Sequence, residues 1–208
     1  MDLEGQNNFP LSRAEAFSDS VFAFAITLLV INLRLPETAL AIPQLNRYLA
    51  TLWPEFLTFL LSFWIIYRFW NAHVRIFKNY KELDGALLAI NAFLLLCVVI
   101  LPFATNLISL YPHDRTSVTI YAAVLSAAGF LEAELWQRMK HHPELLHRPV
   151  EEDEVNASRN YALTAAIIFA CSIPLALFVP YLTELMWLAA LLIRRSRAKK
   201  RQKMQSQT

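Results

Sequence analysis

The stretch RAEAFSDSVFAFAITLLVINLRLP, residues 13–36, decides the fold of this chain. It opens on a polar cluster and then contains no charged side chain over residues 20–33. A helix rises about 1.5 Å per residue, so this uncharged part spans roughly 21 Å, less than the roughly 30 Å hydrocarbon core of a bilayer. Asp19, Thr27 and Asn32 make it a poor lipid-facing helix, because polar groups inside membranes usually face the bundle interior or a water-filled path. We therefore expect this helix to line an aqueous path.

The composition of the whole chain is that of a membrane protein. Of its 208 residues, 56% are hydrophobic and only 17% are charged, whereas soluble domains average about 45–50% apolar and about 25% charged residues. The residues before the first apolar run carry Asp2, Glu4 and Glu15 against Arg13. This is not the basic start of a cleavable signal peptide, and we expect none.

Five further apolar stretches follow the first, separated by connecting loops. The sequence predicts an all-α integral membrane protein, a single domain over residues 1–208 with six transmembrane helices. The last apolar run, residues 161–193, would measure about 50 Å as one helix, so we predict a turn near its prolines, Pro174 and Pro180. The helices are expected near residues 17–35, 52–72, 83–111, 117–139, 160–179 and 181–196, with a basic tail at 197–208 and a possible short interfacial helix within 37–51.

The distribution of Lys and Arg predicts the orientation. If the N-terminus is cytoplasmic, all of the 19 basic residues except Arg34, Arg47 and Arg115 fall on the cytoplasmic side. This strong positive-inside bias requires an even number of spans, with both termini in the cytoplasm.

This topology brings polar side chains of the first three helices to one membrane depth. Ser18 and Asp19 lie at the inner level, where the second helix ends near His73 and the third has just begun before Asn91. A buried carboxylate needs partners, and His73, Asn91 and Arg13 are within reach of Asp19. The alternative is that Asp19 only caps the first helix.

Motifs of catalytic and cofactor sites are missing from the sequence. There is no HExxH, GxSxG, GxxxxGK[ST] or GxGxxG and no paired-cysteine zinc spacing, so we expect neither an enzyme nor a cofactor. Cys97 and Cys171 lie in apolar runs and are expected to be ordinary core residues. No Cys or regularly spaced carboxylate completes a metal site, so no metal is predicted at the three histidines of the long polar loop, His141, His142 and His147. The basic residues lie at membrane edges, and nucleic acid is not an expected partner.

The first helix resembles the signature of the transmembrane protein 175 family of potassium channels. The resemblance rests on Arg13-x-x-x-Phe17-Ser18-Asp19-x-x-Phe22-Ala23-x-x-x-Thr27-Leu28-Leu29. It extends over residues 10–195, through Phe63-Trp64, Trp70, His73, Asn91, Leu101-Pro102-Phe103, Gly129, Leu135-Trp136 and Trp187. In particular the chain is similar to the prokaryotic members, which have one six-helix unit per chain.

The resemblance implies a homotetramer in the cell membrane with a central pore lined by the first helix of each subunit. Such a channel is a leak-type pathway that selects potassium, its permeant ion, at a hydrophobic constriction instead of a carbonyl cage. The family's constriction positions fall on Phe24, Thr27, Leu28 and Ile31, which share one helical face. Phe24 departs from the family, in which a branched aliphatic residue is expected there.

The resemblance also implies that the polar end of the first helix anchors the pore helix. The anchoring residues would be Arg13, Phe17, Ser18, Asp19, His73 and Asn91. Other interpretations stay open at this point. Phe24, Leu28 and Ile31 could be plain bundle packing, and the Thr27 hydroxyl could bond back to its own helix. The alternative function is a six-helix secondary transporter, coupled to protons through Asp19, Glu132 or Glu134.

Overall fold

The computed structural model describes residues 10–34, 36, 41–178 and 187. Apart from an isolated β-bridge between Tyr80 and Leu146, the elements in these residues are helices joined by short loops, which confirms the predicted all-α class. The helices are α1 (Leu11–Leu28), which continues as a 3-10 turn (Leu29–Asn32), α2 (Ile42–Thr51), α3 (Trp53–Phe77), α4 (Gly85–Leu110), α5 (Arg115–His141), a short 3-10 helix (Pro143–Leu145) and α6 (Glu152–Phe178).

Four of these helices are long and apolar enough to cross a membrane. They are Leu11–Asn32, Gly85–Leu110, Arg115–His141 and Glu152–Ala176. α2 and α3 meet at a bend of 49° and become a fifth span if they are counted as one. The predicted sixth span at 181–196 and the tail at 197–208 lie outside the described residues, apart from Trp187, and so do both chain termini.

The first helix begins earlier than predicted and changes its form before its predicted end. α1 starts at Leu11, immediately after Pro10, and not near residue 17. Proline is tolerated at a helix start, and no glycine or proline follows until residue 36, so nothing in the sequence delays the helix. Asp19 therefore lies well inside α1, and the interpretation of Asp19 as a helix cap is wrong.

The fifth predicted helix also begins earlier, at Glu152 in place of residue 160. Its first turn carries Glu152, Asp153 and Glu154, and acidic side chains favour a helix N-terminus because of the helix dipole. The helix passes through Pro174 and reaches Phe178. The predicted turn is therefore not at Pro174, and Pro180 lies outside the described residues.

Side chains at two helix starts satisfy backbone N–H groups that no helical carbonyl can reach. Asp84 accepts a hydrogen bond from the Leu87 N–H at 2.7 Å, and Asp114 accepts one from the Ser117 N–H at 3.0 Å. Such N-caps typically contribute about 1 kcal/mol each. They define where α4 and α5 begin.

α5 and α6 pack along each other through small residues. A Cβ at Gly129 would lie only 2.9 Å from the Cβ of Ala166, so only glycine fits this approach. The Ser126 hydroxyl donates to the Ala166 carbonyl at 3.1 Å. Small residues let membrane helices come close enough for van der Waals contact, the main source of their association.

α1 packs against α3 and α4 on one side only. Its buried residues are Ala14, Ser18, Phe22 and Ala25, followed by Leu29 at the start of the 3-10 turn. This spacing of three or four residues marks one face of a helix. The opposite face of α1 is left uncovered by the described residues of its own subunit.

Candidate functional site

The uncovered face of α1 is apolar and carries all four predicted constriction residues. Phe24 is 71% exposed, Ile31 64% and Leu28 43%, and Thr27 is exposed beside them. Ile31 lies in the 3-10 turn, in which side chains three residues apart eclipse each other. Ile31 therefore extends the same strip beyond Leu28. We call Phe24, Thr27, Leu28 and Ile31 the free strip.

Thr27 is the polar residue within the free strip. Its hydroxyl donates to the Phe24 carbonyl at 2.9 Å, within its own helix, as the alternative interpretation from the sequence anticipated. This bond uses the hydroxyl proton. The oxygen keeps lone pairs that can accept a hydrogen bond or face a cation.

Three of the six predicted anchoring residues meet in one buried chain of hydrogen bonds. The Ser18 hydroxyl donates to the Ala14 carbonyl at 2.8 Å and accepts from the Asn91 amide at 3.1 Å. The Asn91 oxygen lies 3.0 Å from His73 Nε2. An amide oxygen only accepts, so Nε2 carries the proton. We call Ser18, His73 and Asn91 the inner clamp, because it joins α1 to α3 and α4.

The His73 ring is enclosed by two aromatic rings. Its centroid lies 5.6 Å from that of Phe22 on α1, and it stacks on Phe77 at 4.0 Å. His73 is 2% exposed. A polar ring in this position is costly unless its nitrogens have partners, so the bond to Asn91 stabilises both the ring and the contact with α1.

Asp19 does not join the inner clamp and is not buried in the subunit, contrary to the expectation from the sequence. Its carboxylate accepts a hydrogen bond from Trp70 Nε1 at 2.8 Å, and the residue is exposed. Arg13 and Phe17 are exposed as well, and within the described part of the chain no hydrogen bond or ion pair joins Arg13 to Asp19. A helix places residues 18 and 19 about 100° apart, which explains why one is buried and its neighbour is not.

A second set of polar contacts fastens the C-terminal end of α1, and sequence reasoning did not pair these residues. Asn32 donates to the Pro102 carbonyl at 3.2 Å and accepts from the Asn106 amide at 2.7 Å. The available signal was the presence of Asn32 and Asn106 near the predicted outer ends of two apolar helices. Nothing in the sequence says that these two ends are neighbours.

The bundle interior also holds an ion pair that the sequence did not reveal. Arg68 lies 2.9 Å from Glu132, and both side chains are largely buried. The Arg68 guanidinium also lies over the rings of Phe69 and Tyr161, at 4.6 and 5.3 Å. Paired and packed in this way, the two charges fasten α3 to α5.

The described residues contain no group of three or more His, Cys, Asp or Glu side chains that could hold a metal ion. Among the loop histidines, His142 pairs with Glu144 at 2.9 Å. A backbone hydrogen bond and then His142 lower the pKa of Glu144 below its ordinary value. Cys97 and Cys171 are free thiols.

Long apolar helices with polar side chains paired between them define a polytopic α-helical membrane protein, and comparison with known proteins gives its family. The sequence profile described as "Endosomal/lysosomal potassium channel TMEM175" matches residues 13–102. A potassium channel of Chamaesiphon minutus is 35% identical over 159 residues, which are 74% of this chain and 78% of the relative. A potassium channel of Streptomyces collinus is 31% identical over 177 residues, covering 79% and 85% of the two chains.

The fold agrees with that of a solved relative. The crystal structure of a lysosomal potassium-selective channel TMEM175 homologue from Chamaesiphon minutus superposes with a TM-score of 0.72 at 30% identity, over 89% of this chain and 97% of that one. The chain belongs to the TMEM175 family, which confirms the resemblance in the first helix. The family is one of ion channels and not of enzymes.

Proposed function

We propose that the chain is a potassium-selective, leak-type channel in which four copies gather α1 around a central pore. The free strip of α1 carries the proposal, since it is the exposed apolar face of a helix whose other face is buried. The same residues are those to which the family resemblance assigns the constriction. Anchoring at both ends of α1 supports the same role, because a pore helix must keep its lining face turned away from its own subunit.

Selectivity follows from the chemistry of the free strip. A ring of Phe24, Leu28 and Ile31 side chains offers an ion no replacement for its water, so a narrow ring of this kind is a barrier to hydrated ions. Potassium holds its hydration shell less tightly than sodium does, so it loses less hydration free energy when it passes the constriction. Thr27 adds one oxygen per subunit, which offsets part of that loss. The residues that hold the helix, Ser18 among them, do not touch the ion.

Phe24 makes the proposed constriction differ from one built of branched aliphatic side chains. A ring of four phenylalanines is bulkier than a ring of branched aliphatic side chains, so we expect a narrower constriction and a lower conductance than an aliphatic residue would allow. The proposed location is the cell membrane, with both termini in the cytoplasm, as the distribution of basic residues predicts.

Flux measurements test the proposed function. Purified protein in liposomes is expected to conduct potassium down its gradient and to conduct sodium more slowly. This flux should need no proton gradient. Protein-free liposomes are the control. Flux that occurs only with coupled proton movement would overturn the proposal in favour of a secondary transporter.

The arrangement around the axis has its own test. In a background without Cys97 and Cys171, Ile31→Cys is expected to form disulfides between subunits, because side chains at a constriction approach within disulfide range. Leu29→Cys is the matched control, since Leu29 is fully buried against its own subunit. Crosslinking at Leu29 in place of Ile31 would show that another face of α1 borders the axis.

A further inference from the structure

The outer end of α1 differs in form from the rest of the helix. After Leu28 the chain tightens into the 3-10 turn Leu29–Asn32, a form that is frequent at the C-terminal end of α-helices. Residues three apart eclipse in such a turn. Asn32 therefore lies above the buried Leu29 on the side of α4, while Ile31 lies above Leu28 on the free strip. The two neighbours point to opposite sides.

Both ends of the Asn32 amide are held by α4. Its NH₂ group donates to the Pro102 carbonyl at 3.2 Å, and its oxygen accepts from Asn106 at 2.7 Å. These partners are 70 and 74 residues away in the sequence, so the contacts are tertiary. An amide in a membrane interior is costly without partners, and here α4 supplies an acceptor for the Asn32 NH₂ group and a donor for its oxygen. We call Asn32, Pro102 and Asn106 the outer clamp.

The outer clamp lies beside a proline in α4. Pro102 is inside the helix and is buried, and proline cannot donate a backbone hydrogen bond. The Pro102 carbonyl receives a side-chain bond from another helix, which adds a fixed point where α4 has lost one of its own. The clamp therefore joins the 3-10 turn of α1 to the turn of α4 that contains Pro102. In each of these two turns the regular α-helical pattern of backbone hydrogen bonds is interrupted.

The inner and outer clamps run in register along two helices that point the same way. Ser18 contacts Asn91 and Asn32 contacts Asn106, with nearly equal spacing along α1 and α4. The free strip begins beyond the inner clamp and ends at Ile31, next to the outer clamp. The distance of Ile31 from α4 is therefore determined by the residue that follows it.

We propose that Asn32 and Asn106 are positioning residues that set how far Ile31 projects toward the pore axis. This rests on the proposed function, since it assumes that the free strip faces the pore. Losing the outer clamp frees the 3-10 turn, lets Ile31 move radially and widens the range of pore diameters. The sodium flux, which the narrow constriction limits, should therefore increase more than the potassium flux.

The test uses Asn32→Ala, Asn106→Ala and the double variant, with Asn71→Ala on the exposed side of α3 as the matched control. The ratio of potassium to sodium flux is expected to fall by about fivefold in Asn106→Ala, which removes one hydrogen bond, and at least as far in Asn32→Ala, which removes both. The double variant should fall no further than Asn32→Ala, because Asn106 acts on the 3-10 turn only through its bond to Asn32. Asn71→Ala should keep the wild-type ratio.

A second readout does not depend on ion flux. In the background without Cys97 and Cys171, Ile31→Cys disulfides between subunits should form at a different rate when Asn106→Ala is added, and the rate should be unaffected by Asn71→Ala. If the alanine variants are not recovered, Asn106→Gln keeps an amide donor one methylene further out, and a shift in the same crosslinking rate is expected from it.

The outcomes separate the two proposals. Wild-type protein that conducts no potassium overturns the proposed function, whereas the crosslinking comparison still reports on the clamp. Unchanged selectivity and crosslinking in Asn32→Ala and Asn106→Ala would overturn the outer clamp while leaving the channel intact. Effects of the two single variants that add in the double variant would also overturn it, because they would show independent roles.

Discussion

The two faces of α1 have similar apolar content and opposite environments. One face presents Phe22, Ala25 and Leu29 to α3 and α4 and is buried, whereas the other presents Phe24, Leu28 and Ile31 and is exposed. Polar groups divide in the same way. Ser18 and Asn32 form hydrogen bonds with α4 of the same subunit, whereas Thr27 lies on the free strip. A helix can thus be apolar all round and still have one face buried and one face exposed.

Two phenylalanines, one on each face, give the largest expected contrast. Phe22→Ala removes a side chain that is 1% exposed and lies against the His73 ring, so it should lower the free energy of unfolding by about 3–5 kcal/mol. Thermal or denaturant unfolding in detergent measures this.

Phe24→Ala is the matched control, since it makes the same chemical change on the free strip. We expect a much smaller loss of subunit stability and a higher potassium flux, because the bulkiest ring of the proposed constriction is removed. Equal destabilisation by the two variants would contradict the division of α1 into two faces.

The inner clamp should show a smaller effect, confined to the holding face. Asn91→Ala leaves Ser18 and His73 without a shared partner, and a buried polar group left unsatisfied costs about 1–3 kcal/mol. The free energy of unfolding of Asn91→Ala should therefore lie between that of the wild type and that of Phe22→Ala. Asn71→Ala, at an exposed site, is the control, and if it destabilises the protein as much as Asn91→Ala, the clamp has no role in stability.

Thr27→Ala is expected to have the smallest effect on stability and a specific effect on ions. Its hydroxyl bonds only to its own helix, so the free energy of unfolding should change by less than about 0.5 kcal/mol. With potassium on one side and sodium on the other, the reversal potential should shift toward weaker potassium preference. Ser20→Ala is matched to it, because Ser20 is also exposed and bonds back to the Ala16 carbonyl at 2.8 Å. Equal reversal potentials in the two variants would remove Thr27 from the selectivity mechanism.

The elements of the fold were predictable where the sequence carries local signals. Long apolar runs predicted α1, α4 and α5, and the motif around Asp19 predicted the family. The early starts of α1 and α6 were missed because polar residues in a first turn look like loop. The predicted topology placed Ser18, His73 and Asn91 at one membrane depth, and in the structure these three side chains meet in one chain of hydrogen bonds.

Depth alone could not say which of two adjacent residues turns inward. Asp19 was expected among the buried partners, but helix rotation gives that place to Ser18 and leaves Asp19 to Trp70. The pairs Asn32–Asn106 and Arg68–Glu132 were missed for a related reason. Each joins helices whose adjacency depends on how the whole bundle packs.

The sequence by itself determined that this chain is a helical membrane protein of the TMEM175 family with a polar-ended first helix, because composition, length and motif are local properties. Only the tertiary structure decided which face of that helix is held and which is free. Both faces are apolar, so hydrophobic pattern does not distinguish them. The choice is made by the hydrogen bonds that join Ser18 and Asn32 to α4, some 70 residues away in the sequence, which exist only once the bundle has formed.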